Sequence, residues 1–364
     1  MKKILVADWL DKYGGAERVL SVLNKQFDFD KCYTLINIMS KNDLNKVFQK
    51  KKVVIIQSDL KFLKSNFRYL FFLFPYFISR FDNDNEKSLI ISSSFSVAKG
   101  FKKKSNQLHI CYYQARNQRY IWDNEGIYFS SWQRFILGPI LRYLRKKDIN
   151  HSKRPDYIIA NSLFVKDWIK KTYNINSTVI YPPVNTTLFK LEKDKKEYFI
   201  TTARLEPYKR VDLLINTFNQ TEDELYVVGD GSMKERLRKI ANKNIKFYDF
   251  LEPEEVMRLV SKAKAFVHAG VEDFGIAPVE AQSCGTPVIA FNKGGLSETI
   301  IHKKTGILFN YQTTNAILNA LNRFKEIEFD YEYISIHASK FSQKNFAKNI
   351  NTFIQKKLSV HKLK

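Results

Sequence analysis

Between Ala263 and Ile300 two short apolar runs, 263–269 and 286–291, flank a brief helical segment that Gly285 ends. Runs this short and without alternation belong to strands covered on both faces. Strands separated by helices pair in parallel, which gives an α/β layer with helices on both faces of the sheet. Pro278 reads as a first helical residue, because its fixed φ suits a helix start, and Gly294 and Gly295 open the next helix. Helix N-termini beside strand ends form a site for phosphate. Carboxylates do not serve phosphate, yet Glu272 precedes the first helix and Glu280 lies about a turn inside it. The pair therefore brackets a ligand with hydroxyls as well as a diphosphate.

The same alternation runs through the whole chain. In the first half the expected strands are Lys3–Leu10, Cys32–Ile38, Val53–Gln57, Ser88–Ser93, His109–Tyr113 and Tyr157–Asn161. Helices are expected over Ala16–Phe27, over the basic piece Leu141–Arg154 as a solvated face, and from a Ser162 cap to about Thr172. Val179 to Val184, with its two prolines, bars helix and central strand alike and marks a boundary. The second half restarts the pattern from Tyr198. The expected organisation is two doubly wound Rossmann-like domains, 1–183 and 184–340, facing each other across a cleft, with 341–364 as a last helix crossing back to the first. At 364 residues each domain has room for its own core.

Charge separates the halves. Residues 1–183 carry a net +17 and 184–364 a net +6. A field of that sign draws anionic lipid, nucleic acid or a phosphorylated substrate without choosing among them. No base-stacking module or recognition helix accompanies it, so nucleic acid is not expected as a partner. The segment Lys61–Arg80 interleaves aromatic side chains with Lys61, Lys64, Arg68 and Arg80, which suits either a membrane interface or a core helix before Pro75. The longest apolar run, Leu70–Ile78, falls far short of the roughly 20 residues of a spanning helix. Asp8 and Asp11 interrupt the first apolar run before it could act as a secretion signal. Cys32, Cys111 and Cys284 stand far apart, so neither a disulfide nor a structural zinc is expected. Asp82-Asn83-Asp84 reads as a solvated turn rather than a metal site.

Several residues carry candidate chemistry. Gly14-Gly15 lies between the first strand and the first helix, where backbone can come close to a ligand. A dinucleotide fingerprint needs further glycines and a later acid, and neither this pair nor Gly229-Asp230-Gly231 supplies them. Arg204 and Lys209 flank the loop after the first strand of the second half, placed to stabilise the charge of a diphosphate leaving group. His268 ends the strand before Glu272 and either lines the pocket or fills the core. His109 lies inside an apolar strand, as a satisfied core residue does. Gln114 to Asp123 is an irregular tract rich in donors.

Together, EDFGIAPVEAQSCGTPVIA, GGLSE, ARLEPYKRVDLLI and VVGDGSMKERL resemble the C-terminal half of the retaining glycosyltransferases of family 4. The loop Gly14-Gly15-Ala16-Glu17 resembles that family's first loop. The resemblance implies the GT-B fold, a nucleotide-sugar donor held mainly by the second domain, an acceptor held by the first, and no cofactor or required metal. By position it assigns Arg204 and Lys209 to the donor diphosphate and Glu272 to the donor sugar, with the backbone of Phe274, Gly275 and Ile276 beside it. Glu280 would bind the ribose, Gly14 and Gly15 would approach the diphosphate, and Asp249 and Phe250 join the donor-binding set. Retention in this family is attributed to front-face attack aided by the leaving phosphate, so Glu272 need not be a nucleophile.

YYQARNQRYIWD is similar to a segment of mannosyltransferases that build bacterial surface polysaccharide. Gln114 stands where those proteins commonly have a histidine, with Arg116 and Asp123 also on the acceptor side. Glutamine can hydrogen-bond a sugar hydroxyl but cannot act as acid or base. The function so implied is hexosyl transfer, mannose from GDP-mannose or else a hexose from a UDP-sugar, to a glycan or polyprenyl-diphosphate-linked acceptor. The setting is cytoplasmic, peripheral at the inner face of the membrane. A scaffold subunit that has lost the chemistry is the alternative.

Overall fold

The computed structural model describes residues 1–49, 53–123, 125–249 and 251–361. The chain packs as two units, Met1–Pro183 with the segment from Phe346 onward, and Val184–Asn345.

In unit 1 the strands are β1 (Lys2–Ala7), β2 (Lys31–Thr34), β3 (Val54–Gln57), β4 (Ser88–Ser94), β5 (Gln107–Tyr113), β6 (Tyr157–Ala160) and β7 (Thr178–Val179). They form one parallel sheet in the order β3-β2-β1-β4-β5-β6-β7. Its helices are α1 (Gly15–Phe27), α2 (Lys41–Phe48), α3 (Phe74–Ser79), α4 (Arg119–Trp122), α5 (Glu125–Tyr128), α6 (Ser131–Ser152) and α7 (Leu163–Tyr173). β4 and β5 are buried along their whole length, as central parallel strands must be. His109 on β5 is a core residue: its Nε2 lies 2.7 Å from Ser92 Oγ, and burial pushes its pKa down to about 3, so the ring is neutral.

Unit 2 repeats the plan. Its strands β8 (Tyr198–Thr202), β9 (Glu224–Val228), β10 (Ile245–Tyr248), β11 (Ala265–His268), β12 (Val288–Phe291) and β13 (Gly306–Phe309) make a parallel sheet ordered β10-β9-β8-β11-β12-β13. Its helices are α8 (Val211–Phe218), α9 (Lys234–Ile240), α10 (Pro253–Lys262), α11 (Ile276–Ser283), α12 (Leu296–Thr299), α13 (Thr314–Lys325) and α14 (Tyr331–Ala338). The last helix, α15 (Gln343–Val360), buries Phe346, Ile350 and Ile354 in the core of unit 1, beside Leu108, Tyr112 and Ile180. Both units are Rossmann-like α/β layers.

The structure departs from the sequence reading in a few places. Segment 61–80 is no regular helix. An irregular 3-10 stretch, Asp59–Leu73, carries Lys64 at φ 48° before the short α3 begins. The basic helix starts at Ser131, ten residues before the expected Leu141, and is not solvated all round, since Leu141, Leu144 and Asp148 are buried. The turn at 82–84 is solvated only in part: Asn83 is buried and donates to Gln107 Oε1 at 2.6 Å.

Candidate functional site

An open parallel sheet has a crevice where its strand order reverses, at the carboxyl ends of the two strands whose connections diverge. In unit 2 those strands are β8 and β11, paired with Ala265 opposite Phe199. The loop after β8 holds Arg204 and Lys209, and the loop after β11 holds Glu272. Chain topology alone therefore brings Arg204 and Lys209 to the same end of the sheet as Glu272, more than sixty positions further on.

Side-chain geometry tightens the group. Lys209 Nζ donates to Glu272 Oε1, and His268 Nε2, from the end of β11, lies 3.0 Å from the same oxygen. Burial pushes the Glu272 carboxyl up, but the Lys209 charge and the His268 contact outweigh it and hold the group well below the usual carboxylate range. Glu272 is thus an ionised acceptor. Both contacts use Oε1, so neither involves Oε2, which can accept a further hydrogen bond. His268 thus sits against Glu272 at the end of β11 and is itself nearly fully buried.

Backbone contacts fix the position of Glu272. Gly295 N donates to Glu272 O at 2.8 Å, and Glu272 bridges Gly294 in parallel register. Gly294 has φ +81°, and a Cβ there would stand 2.2 Å from Glu272 O. Only glycine allows this approach. The glycines read from the sequence as a helix opening therefore also clamp the acidic loop.

Helix α11 begins at Ile276, not at Pro278, because Gly275 at φ +93° turns the chain into the helix two residues earlier. Phe274, Gly275 and Ile276 form that entry, and the N–H groups of the helix's first turn have no intrahelical acceptor. Glu280 lies on the first full turn and is buried. Arg204 is exposed and has no carboxylate partner among the described residues, in contrast to Lys209. Asp249 follows β10, the edge strand of the sheet, and forms ion pairs with Lys234 at 2.9 Å and Arg238 at 2.7 Å. Phe250 lies outside the described residues.

In unit 1, Gly14 caps α1 and donates its N–H to Glu17 at 3.0 Å, with Gly15 as the first helical residue. Gln114, just after β5, reaches this loop. Its Nε2 donates to Ser93 Oγ at 2.7 Å and to Ala16 O at 3.3 Å. Arg116 and Asp123 pair with each other at 3.2 Å, and Asp123 also accepts from Trp168 at 3.3 Å.

Sequence reasoning missed Asp8. It sits at the end of β1, beside β4, which is the reversal point of this sheet, and its carboxylate accepts from the N–H groups of Phe95, Ser96, Val97 and Ala98 at 2.5–2.9 Å. It also missed the buried ion pair of Lys99 and Asp148 at 2.5 Å. A charged residue after an apolar strand was the only signal of the first, and nothing signalled the second. Among the described residues no group of three or more His, Cys, Asp or Glu side chains is placed to hold a metal ion.

Comparison with known proteins follows the same lines. Residues 185–357 match the family model described as glycosyl transferases group 1. The alpha-1,3/1,6-mannosyltransferase ALG2 of Dictyostelium discoideum is 26% identical over 257 residues, which covers 55% of this chain and 61% of that protein. The O-antigen chain mannosyltransferase RfbU of Salmonella typhimurium is 31% identical over 167 residues, covering 43% and 46%. The chain thus spans about half the length of the curated relatives it matches. Among solved structures, Anabaena HepE in complex with UDP and glucose superposes with a TM-score of 0.67 at 18% identity, covering 98% of this chain and all of that one. Sucrose-phosphate synthase from Thermosynechococcus elongatus gives 0.73 at 16% identity and similar coverage, 99% of this chain and 100% of that one. At such identities the structures speak for the fold, that of GT-B glycosyltransferases.

Proposed function

We propose, from the premise that residues 185–357 form a glycosyl transferases group 1 domain, that the protein is a retaining hexosyltransferase acting on a nucleotide-sugar donor. The observation that carries this reading is the Lys209–Glu272–His268 cluster at the reversal point of unit 2. An ionised carboxylate with one oxygen uncommitted suits a sugar hydroxyl. A lysine beside it and an exposed arginine on the same loop suit the diphosphate, whose charge grows as the bond to the sugar breaks. Fixed cations and first-turn N–H groups of α11 stabilise that charge in the transition state. Glu280, buried one turn further on, is assigned to the ribose, and Asp249 to the outer part of the nucleotide.

Mannose from GDP-mannose is the preferred donor, supported by the mannosyltransferases among the sequence relatives. A UDP-sugar is the other reading, supported by a structural neighbour described with UDP and glucose. The acceptor is a glycan or a polyprenyl-diphosphate-linked oligosaccharide, with the protein peripheral at the inner membrane face. The reaction is expected to proceed without a metal, with the cations of the loop after β8 in that role.

The test is a melting-temperature screen of nucleotide sugars followed by transfer assays with Glu272→Gln and Arg204→Ala. A ligand that binds only the folded state raises the melting temperature. GDP-mannose is expected to shift it more than UDP-sugars, and both variants to lose transfer. A larger shift with UDP-sugars would replace the donor, and undiminished transfer by both variants would remove the site.

A further inference from the structure

Helix α6 is apolar on two opposite sides. Its inner side places Leu141 and Leu144 in a cluster with Ile121, against which Leu137, Ile140 and Phe129 pack. Its outer side carries Trp132, Phe135, Ile136, Pro139 and Tyr143, spacings that fall on one helical stripe. Trp132 is 66% exposed, Phe135 87% and Ile136 62%. A surface helix of a globular domain presents polar residues to water, and a contiguous exposed apolar patch marks an interaction surface.

Within the two segments that form the patch the charged side chains have one sign, although Arg68 pairs with Asp11 from outside them. Ser131–Lys147 contains Arg134, Arg142, Arg145, Lys146 and Lys147 and no Asp or Glu. Segment Lys61–Arg80 likewise has no acid. The two segments adjoin: Phe71 packs its ring 6.0 Å from Phe129 and 5.5 Å from Tyr120, and both Phe71 and Phe72 border the inner cluster of α6. From its own side the second segment exposes Phe62 and Tyr69, 75% and 80%. Arg134, Arg142 and Arg145 line a surface depression of about 520 Å³ next to Phe135 and Pro139. Arg134 and Arg142 have no carboxylate partner among the described residues.

We infer that this face of unit 1 docks on an anionic lipid bilayer, with Trp132, Phe135 and Ile136 entering the interface and Arg142 and Lys146 meeting lipid phosphates. Tryptophan and aromatic side chains favour the headgroup boundary, and basic residues near it are drawn to an anionic surface. A second copy of the chain does not fit, because a self-contact would oppose cations to cations with no acid to pair them. Nucleic acid does not fit, because an Ile and a Pro at the centre of the stripe give no platform for bases. The inference locates the membrane partner proposed above but is independent of the donor chemistry.

The experiment uses the full chain with unilamellar vesicles of phosphatidylglycerol and phosphatidylcholine, and with phosphatidylcholine alone. Sedimentation is expected to capture the protein on the anionic vesicles, less so as salt rises. Tryptophan emission should shift to the blue and be quenched by brominated lipid, and Trp132→Phe should abolish most of the quenching while retaining binding. Trp132→Ser/Phe135→Ser/Ile136→Ser and Arg142→Glu/Lys146→Glu should each weaken binding at least tenfold. Their GDP-mannose melting shifts should match the parent's, so a failed vesicle test and a failed donor test are separate results. Absence of wild-type binding to anionic vesicles, binding untouched by both variants, or a light-scattering dimer that the triple variant dissolves would each overturn the inference. The quenching in the unmodified protein needs no variant and tests insertion even where a substitution impairs folding.

Discussion

Replacing Lys209 by methionine keeps the length of the side chain and removes its charge. In the protein both members of the Lys209–Glu272 pair are largely screened from solvent, so little discount for exposure applies. A hydrogen bond to a charged group contributes about 1.5–3 kcal/mol, and loss of one partner of a buried pair costs at least as much because the other charge is left behind. Here His268 still touches Glu272, which places the expected loss near 2 kcal/mol, at the lower part of that range. For a domain the size of unit 2, that is a fall in melting temperature of about 4–8 °C.

The pH dependence gives the sharper test. Because the folded carboxyl lies below its ordinary value of 4.5, the stability that it contributes is complete above that pH and is lost as pH falls through the depressed folded value. Without Lys209, burial becomes the leading influence and the carboxyl rises. The variant's Glu272 then takes up a proton on folding as pH falls, which relieves the penalty. The deficit should therefore be largest at pH 7 and narrow toward pH 5, measured by calorimetry on both proteins. Equal melting at pH 7, or a deficit that widens on acidification, would show that the pair does not hold Glu272 ionised.

Glu272→Gln should lower kcat for sugar transfer by one to two orders of magnitude while melting falls by no more than in Lys209→Met, since the amide oxygen still accepts from Lys209 but the charge is lost; an unchanged kcat would reverse the assignment. Gly294→Ala should destabilise unit 2 by more than about 2 kcal/mol and weaken donor binding, because a methyl at φ +81° meets Glu272 O; wild-type urea unfolding would refute it. Gln114→Ala should cost about 1 kcal/mol by freeing Ala16 O and Ser93 Oγ, and amide hydrogen exchange at the start of α1 should accelerate. If exchange there is unchanged, the amide is not what anchors the Gly14 loop.

Much of the architecture is legible in the sequence because parallel strands buried on both faces must be short apolar runs. The shared position of Glu272, Arg204 and Lys209 is legible for a related reason: residues just past a strand lie at the one end of the sheet where ligands bind. What escapes is set by contacts that spacing does not encode. The start of α11 moved from Pro278 to Ile276 because Gly275 can adopt a positive φ. The irregular course of Asp59–Leu73 follows no period, and its aromatic residues divide between core and surface only once the sheet is in place. The outer stripe of α6 escaped because the helix was expected only from Leu141, which left Trp132, Phe135, Ile136 and Pro139 outside it.

Each unit places a carboxylate at its strand-order reversal, after the first strand in unit 1 and after the fourth in unit 2, and the hydrogen bonds of the two differ. In unit 1 the reversal point lies between β1 and β4, and Asp8 there takes four backbone N–H groups, two on each oxygen. Burial raises its carboxyl, opposed by these bonds and the nearby Lys99 charge. No acceptor capacity is left for a ligand, and removal would strand several buried N–H groups at about 1–3 kcal/mol each. In unit 2 the reversal point lies between β8 and β11, and Glu272 there engages Lys209 and His268 through Oε1 alone. Asp8→Ala should therefore abolish folding of unit 1 before any effect on chemistry can be read, whereas Glu272→Gln should leave a folded protein that transfers poorly. Soluble expression with an intact circular dichroism spectrum for both variants would mean that saturation by backbone donors does not separate the structural acid from the one proposed to act on substrate.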